Sequence, residues 1–535
     1  MAGLNLSHIL EIAKRGLQTQ RLGIDVTGHN LANATKEGYS RQRINLKPGE
    51  VLQSNQGNLG TGVIGTHGGR VRNMFIDDQV RSSQSSLSQS SAQRQSLTRI
   101  ESKVNELTRN GLGTQITKFF NSFQSLAQQP EDSVQRTNVV NQAKRMIDSF
   151  RSTYNAYQQL QKEVNDNMLS TLRNINEISS KIADIDSEIT RLQSGGANAS
   201  DLKDERDILI DELSKYANVK VSEDSRGSVI VSIGGIAVAS RGGSTELSSS
   251  FIDEVGQTAL VLNGVTYDTD TKKYDLTDFS EVTLDAIPKL SITIPAYNDD
   301  STTDPSLRKI NITSGELKGL MDVYNDVLFP AKTRLNTMAI SLANAVNSLH
   351  QTGKGRMNAD GENIEGINFF VSPTDVQNAF TGDDIVNGEF AKYISISNEI
   401  LQDANNIATA SVDLDEFDGG NSVALQISNL MNQKFMTGKL FYNENETLPT
   451  SLSQTLEEYN RQTTNQLSSA IFDAEIREES SELILNQMQQ QQQSISGVST
   501  DEEMTNLINF QRAYDAAAKV TATVNDMYLT ILNMV

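Results

Sequence analysis

From Leu507 to the final residue, Leu507, Phe510, Tyr514, Ala517, Thr521, Val524, Tyr528, Ile531 and Val535 recur at alternating steps of three and four. A seven-residue repeat held for this length predicts a helix with one apolar seam of the coiled-coil kind. The stretch from Gly497 to Met504 reads as its start. Ser499 or Thr500 can cap, Glu502 or Glu503 lies three positions on, and the acids suit the positive helix end. Such a helix cannot bury its seam within itself. Each large side chain buried contributes roughly 1.5–3 kcal/mol, so the seam requires a partner.

The first thirty residues offer one. Leu10, Ala13, Leu17, Gln20, Ile24, Thr27 and Leu31 follow the same spacing, weakened by Gln20 and Thr27. Gly23 and Gly28 lower helix preference by about 1 kcal/mol each relative to Ala, so this helix is marginal alone. Charge agrees with pairing. Residues 1–50 carry seven basic and four acidic side chains, whereas residues 501–535 carry two basic and five acidic. Two outcomes remain open: a hairpin that finishes a bundle within one chain, or paired ends that then pack against other subunits.

Between the ends, residues 46–73 read as a Gly-rich linker with short strands. From Met74 to Tyr216 long helical stripes run, including Leu97, Ile100, Val104 and Leu107, and Leu172, Ile175, Ile178, Ile182, Ile185, Ile189 and Leu192. Breaks fall at Gly111–Gly113, at Gln129-Pro130 and at Gly195-Gly196. Residues 219–312 are β-branched and punctuated by Gly. Within them Asn263-Gly264, between Leu260–Leu262 and Val265–Tyr267, predicts a hairpin. Helix returns from Gly315 to His350 despite Pro330, and again from Ser451 to Gln493. The fold expected is mainly α with an inserted β domain. It comprises a terminal coiled-coil domain (1–45 and 497–535), a long-helix bundle (74–218, 313–350 and 426–496), a β-rich outer domain (219–312), and an irregular insertion or small subdomain at 351–425.

Composition removes whole classes of function. With 46 basic against 67 acidic residues the net charge is −21, which repels nucleic acid and anionic membrane surfaces. No apolar run approaches the roughly 20 residues that span a bilayer. There is no Cys, and the four His are scattered, so no metal centre or cofactor is expected. The N-terminus has no basic n-region or apolar h-region, so a cytoplasmic chain or a signal-independent export route is expected. Gly60 to Gly65 spells G-x-G-x-x-G, but Thr66-His67-Gly68-Gly69 does not start the helix that a dinucleotide site needs. Gly353-Lys354-Gly355 is no P-loop. Calcium loops at Asn358–Gly361 and Asp413–Gly419 fail because Arg356 and Leu414 would stand at the first ligand position. Nothing argues for an enzyme.

Gly28 to Gln42, with its Tyr39-Ser40-Arg41-Gln42 ending, resembles the N-terminal signature of axial flagellar proteins of the hook-associated protein 1 (FlgK) family. Residues 496–519 are similar to that family's C-terminal signature. The stretches 119–130, 201–213, 315–350 and 395–430 match it as well. The resemblance covers both termini and nearly all the helical parts.

The resemblance implies a non-catalytic structural subunit joining the bacterial flagellar hook to the filament, exported through the flagellar type III channel to the cell exterior. Its termini would form the inner domain of a tube. Expected partners are other copies of itself, the hook protein, the second hook–filament junction protein and a FlgN-type export chaperone at the C-terminal helix. Expected assembly residues are Leu10, Leu17, Ile24, Leu31, Asn33, Tyr39, Arg41, Leu507, Phe510, Tyr514, Ala517, Val524, Tyr528 and Ile531. For Tyr39-Ser40-Arg41 two readings stand: contact with a neighbouring subunit, or filling of a turn after Gly38 ends the helix at C′. Asn30 and Asn33 are expected to satisfy local backbone groups. The alternatives are a hook or rod axial protein and, from another class, a cytoplasmic coiled-coil adaptor.

Overall fold

The computed structural model describes residues 2–534 except 55–56, 105–110, 196, 198, 225–226, 255–256, 263–265, 269–272, 276–278, 285–286, 295–307, 357–363, 372–388, 413–418, 437–441 and 444–453. Leu107 of the first stripe, Val535 and the residues of both calcium-like loops other than Gly419 lie outside the described residues.

The chain is mostly helical. It opens with α1 (Ala2–Ala32), continues through α2 (Met74–Val104), α3 (Leu112–Gln128), α4 (Ser133–Ser194) and α5 (Ser200–Tyr216), and ends in two long helices. Gly111 precedes α3, so the first predicted break falls between α2 and α3 although Leu112 and Gly113 already belong to α3, and the breaks at 129–130 and at Gly195 fall on either side of α4. Asp132 caps α4, accepting from the Val134 N–H at 2.8 Å. At 1.5 Å per residue its 62 residues span about 90 Å. Its inward stripe, with Phe150, Tyr154, Met168, Ile175 and Ile182 fully buried, forms the spine of one continuous core. Among the described residues no helix is long and apolar enough to cross a membrane.

Pro330 leaves a visible trace. α6 (Glu316–Asp322) and α7 (Phe329–His350) are joined by a six-residue π-helical stretch, Val323–Leu328, and Pro330 sits in the first turn of α7. A proline cannot donate to the preceding turn, so the ladder widens just before it rather than breaking.

The strands form small, separate sheets. The antiparallel pair β1 (Gln42–Pro48) and β4 (Val63–Arg70), together with the short hairpin β2 (Leu52–Ser54) and β3 (Gly57–Leu59), follows α1. The G-x-G-x-x-G run leads into β4, not a helix. A four-stranded meander contains β5 (Val219–Glu223), β6 (Val229–Ile233), β7 (Ile236–Ser240) and β8 (Gly243–Ser244), with Val229, Val231 and Ile233 buried on one face.

The expected hairpin across Asn263-Gly264 is not formed, although the turn residues themselves lie outside the described set. β10 (Gln257–Leu262) pairs instead with β13 (Phe279–Leu284), and β11 (Thr266–Asp268) with β12 (Lys273–Asp275). A six-residue strand has its ladder groups satisfied along their whole length by an equally long partner, which three-residue β11 cannot supply. The remaining three-stranded sheet joins β15 (Arg308–Ile310), β14 (Ile287–Ile294) and β9 (Ser248–Glu254).

Residues 351–425 contain short elements: β16 (Gly353–Lys354), β17 (Phe370–Val371), α8 (Phe390–Tyr393), β18 (Ser395–Ile396), α9 (Asn398–Gln402), β19 (Ala410–Ser411) and α10 (Ser422–Asn429). Phe369 and Phe370 join Phe119 in one buried aromatic cluster, so this segment shares the main core. Two buried polar groups fix it. Arg136 donates to the carbonyls of Asn405 and Ile407 at 3.1 and 2.7 Å. The Ala408 N–H donates to His350 Nε2 at 2.9 Å, so the ring's proton is on Nδ1, 2.8 Å from the Ile367 carbonyl.

The C-terminal part contains β20 (Tyr442–Asn443), α11 (Leu456–Ser496) and α12 (Thr500–Met534). A capping box starts α11: Thr455 Oγ1 accepts from the Glu458 N–H, and the Glu458 carboxylate from the Thr455 N–H. α11 lies along α2, and α12 lies along α1.

Candidate functional site

The terminal helices meet in antiparallel register. A Cβ built on Gly16 would stand 3.7 Å from that of Ala517, and one on Gly23 would stand 2.7 Å from the Phe510 ring. Asn30 Nδ2 donates to Glu503 at 3.0 Å. These pairs lie seven residues apart on both helices, and their numbers sum to 533 each time (16 and 517, 23 and 510, 30 and 503).

The residues brought together differ in part from those the spacing suggests. On α12, Leu507, Phe510, Ala517 and Tyr528 are half-buried and Val524 is buried, whereas Tyr514 and Ile531 stay exposed. On α1, Leu10, Leu17, Ile24 and Leu31 remain half-buried, and the close approach falls on Gly16 and Gly23. The physical reason is volume. The Phe510 ring fits over a position without a Cβ, so small residues mark the line of nearest approach while the leucines flank it. A pattern count that weights only large apolar residues misses the glycines.

The Tyr39-Ser40-Arg41 tripeptide is engaged within the chain. α1 stops at Ala32, before Gly38, so Gly38 is not its C′ residue. Instead Gly38 has φ +75°, and a Cβ there would be 2.4 Å from Ile208 Cγ1 on α5. Only glycine suits this turn against α5. Tyr39 donates to Asn30 Oδ1 at 2.9 Å. Ser40 donates to Asp204 at 2.8 Å. Arg41 donates to Glu503 and Glu502 at 2.8 Å each. Asn30 completes the set: its Nδ2 donates to the Gln42 carbonyl and its Oδ1 accepts the Gln42 N–H, both at 2.9 Å. Asn33, just past the end of α1, donates from Nδ2 to the His29 carbonyl at 2.9 Å, a local backbone contact.

Around this hub lies a charged joint. α5 presents Asp204, Asp207 and Asp211 at steps of three and four on one face. Arg70 bridges Asp204 and Asp207 at 2.8 and 2.7 Å. Arg72 bridges Asp77 and Asp207 at 2.9 and 2.8 Å, and Arg81 meets Asp211 at 2.6 Å. Gln492 at the end of α11 donates to Asp77 at 2.6 Å. Burial pushes the Asp207 carboxyl up, but Arg72, Arg70 and Arg81 outweigh it and hold the group below the usual carboxylate range. For Asp211 burial wins and the carboxyl is raised. Burial, followed by Asp204, Asp201 and Glu503, likewise raises the Tyr39 hydroxyl. Sequence reading missed this joint. Its one available signal was the acidic spacing on α5 opposite Arg70, Arg72 and Arg81, and carboxylates are too common here for that to stand out.

An antiparallel pair of end helices, held by a polar hub to a long helical body, is the frame of a predominantly helical structural protein. Residues 97–370 match the flagellar hook-associated protein FlgK helical domain, and residues 489–534 match the flagellar basal body rod FlgEFG protein C-terminal family. The chain belongs to the FlgK family of flagellar hook-associated proteins. It is similar to flagellar hook-associated protein 1 of Bacillus subtilis, 26% identical over 98% of this chain and 97% of that one. It is also similar to that of Escherichia coli, 23% identical over 99% and 100%. The flagellar hook junction protein FlgK from Burkholderia pseudomallei shares the fold, with TM-score 0.56, 15% identity, and coverage of 78% of this chain and 100% of that one. The chain is a structural flagellar component of the hook–filament junction.

Proposed function

We propose that the chain joins hook to filament by assembling through its terminal helices, which pair within each subunit as an antiparallel coiled coil and then pack against other subunits. One observation carries this. After α1 has taken one face of α12, Met504, Ile508, Val520, Met527, Leu529 and Leu532 remain exposed on its other sides. A helix with apolar residues on several sides is suited to burial among neighbours. The half-buried stripe of Leu10, Leu17, Ile24 and Leu31 on α1 supports the same use.

In this reading residues 1–45 and 497–535 form the inner domain. The bundle is 74–218, 313–350 and 426–496; 219–312 is the outer β domain, and 351–425 an irregular insertion or small subdomain. The role involves no catalysis. The neighbours are further copies, the hook protein and the second junction protein. Export runs through the flagellar type III channel to the cell exterior, with a FlgN-type chaperone shielding α12 beforehand.

The test is Phe510→Asp or Val524→Asp in the full chain. Filament attachment is lost while the circular dichroism of the helical and β middle stays. Variants that still incorporate and carry filaments would refute assembly through the seam.

A further inference from the structure

The side of α11 turned away from α2 carries a second apolar stripe. Glu478 on α11 pairs with Arg94, and Leu485 packs with Ile76 and Val80, which fixes the side facing α2. At 3.6 residues per turn Phe472, Ile476 and Leu483 point the opposite way, and they are 61%, 49% and 66% exposed. Exposed Glu475 and Glu482 stand beside Ile476 and Leu483, each pair seven residues apart. α1 displays the counterpart. Half-buried Leu10 and Leu17 are seven residues apart, with exposed Lys14 and Arg21 at the same interval beside them. None of these four charged side chains is in an ion pair with a described residue.

We infer that the outward face of α11 is a docking surface for α1 of a second copy of this chain. The argument rests on the proposed self-assembly and on complementarity. Each helix repeats an apolar residue and a charge at seven-residue steps, about 10.5 Å along the axis, with opposite signs on the two helices. Seating Leu10 and Leu17 beside Ile476 and Leu483 brings Lys14 and Arg21 against Glu475 and Glu482. Repeated head to tail from copy to copy, the contact is heterologous and propagates into a ring or an open helical array.

The test uses two full-length variants, Lys14→Glu/Arg21→Glu and Glu475→Lys/Glu482→Lys, followed by sedimentation velocity across concentration. Each variant alone places like charges on both faces, and its self-association falls at least tenfold below that of the unchanged chain. An equimolar mixture restores opposite signs at every contact and recovers association. Circular dichroism and thermal melts of each variant check that it is folded. Single variants that associate like the unchanged chain overturn the docking surface and leave self-assembly standing. Loss without recovery on mixing folded variants also overturns it. An unchanged chain that stays monomeric at all concentrations overturns both.

Discussion

Gly23 on α1 lies directly beneath the ring of Phe510 on α12, and a Cβ added there would come within 2.7 Å of Cδ1 and 2.9 Å of Cγ. In an isolated helix, Gly→Ala raises helix stability by about 1 kcal/mol. In the packed pair the added methyl forces the ring aside, and overpacking costs about 1–3 kcal/mol. The signs are opposite, so Gly23→Ala reports on the packing itself. It lowers the melting temperature of the terminal pair, and adding Phe510→Leu restores much of the loss. A stabilising Gly23→Ala would mean that the two helices do not meet here.

Glu503 is 2% exposed and accepts from both Arg41 and Asn30. Glu503→Gln removes the charge that Arg41 engages, and hydrogen bonds to charged groups contribute roughly 1.5–3 kcal/mol. Amide exchange in the first turns of α12 speeds up in this variant while that of α4 does not change. Unaltered protection at 503–507 would show that the hub does not hold the helix.

Asp186 and Arg206 form a buried ion pair at 2.6 Å. Asp186 also accepts from Ser228 Oγ at 2.5 Å and from the Val229 N–H at 3.1 Å, which ties α4 and α5 to β6. Removing one member of such a pair strands the other charge, at a cost of about 3–5 kcal/mol. Asp186→Leu therefore lowers the denaturant midpoint strongly, and Asp186→Leu with Arg206→Met recovers part of it. Equal midpoints for the single and double variants would contradict this coupling.

His350 is fully buried, and burial lowers its pKa to about 4. An unfolded His titrates near 6.5. Between those values the unfolded chain binds a proton that the folded ring refuses. Stability is complete above about pH 6.5 and falls as the pH drops toward 4, by up to about 1.4 kcal/mol per pH unit. His350→Gln loses stability at pH 7 but shows a shallower decline across that window. Parallel pH profiles for both proteins would remove His350 as the cause.

What the sequence shows plainly is what repeats. The helical breaks at Gly111, at 129–130 and at Gly195 and the start of the last helix near Ser499 follow from local signals. Glycine, proline and capping residues act on their own few neighbours. The misread hairpin at Asn263-Gly264 marks the limit of such signals, because strand length and available partners decide pairing there. The joint was invisible for the same reason. Arg41 and Glu503 are 462 positions apart, and no local rule links them.

The sequence by itself determined that the chain has two amphipathic end helices needing partners, a long helical middle and a strand-rich insert, because periodicity is written residue by residue. Only the tertiary structure decided the antiparallel register, the choice of Gly16 and Gly23 over the leucines as the line of closest approach, and the turning inward of Tyr39, Ser40 and Arg41. Those depend on volumes and charges meeting across hundreds of residues, and such meetings are fixed by packing.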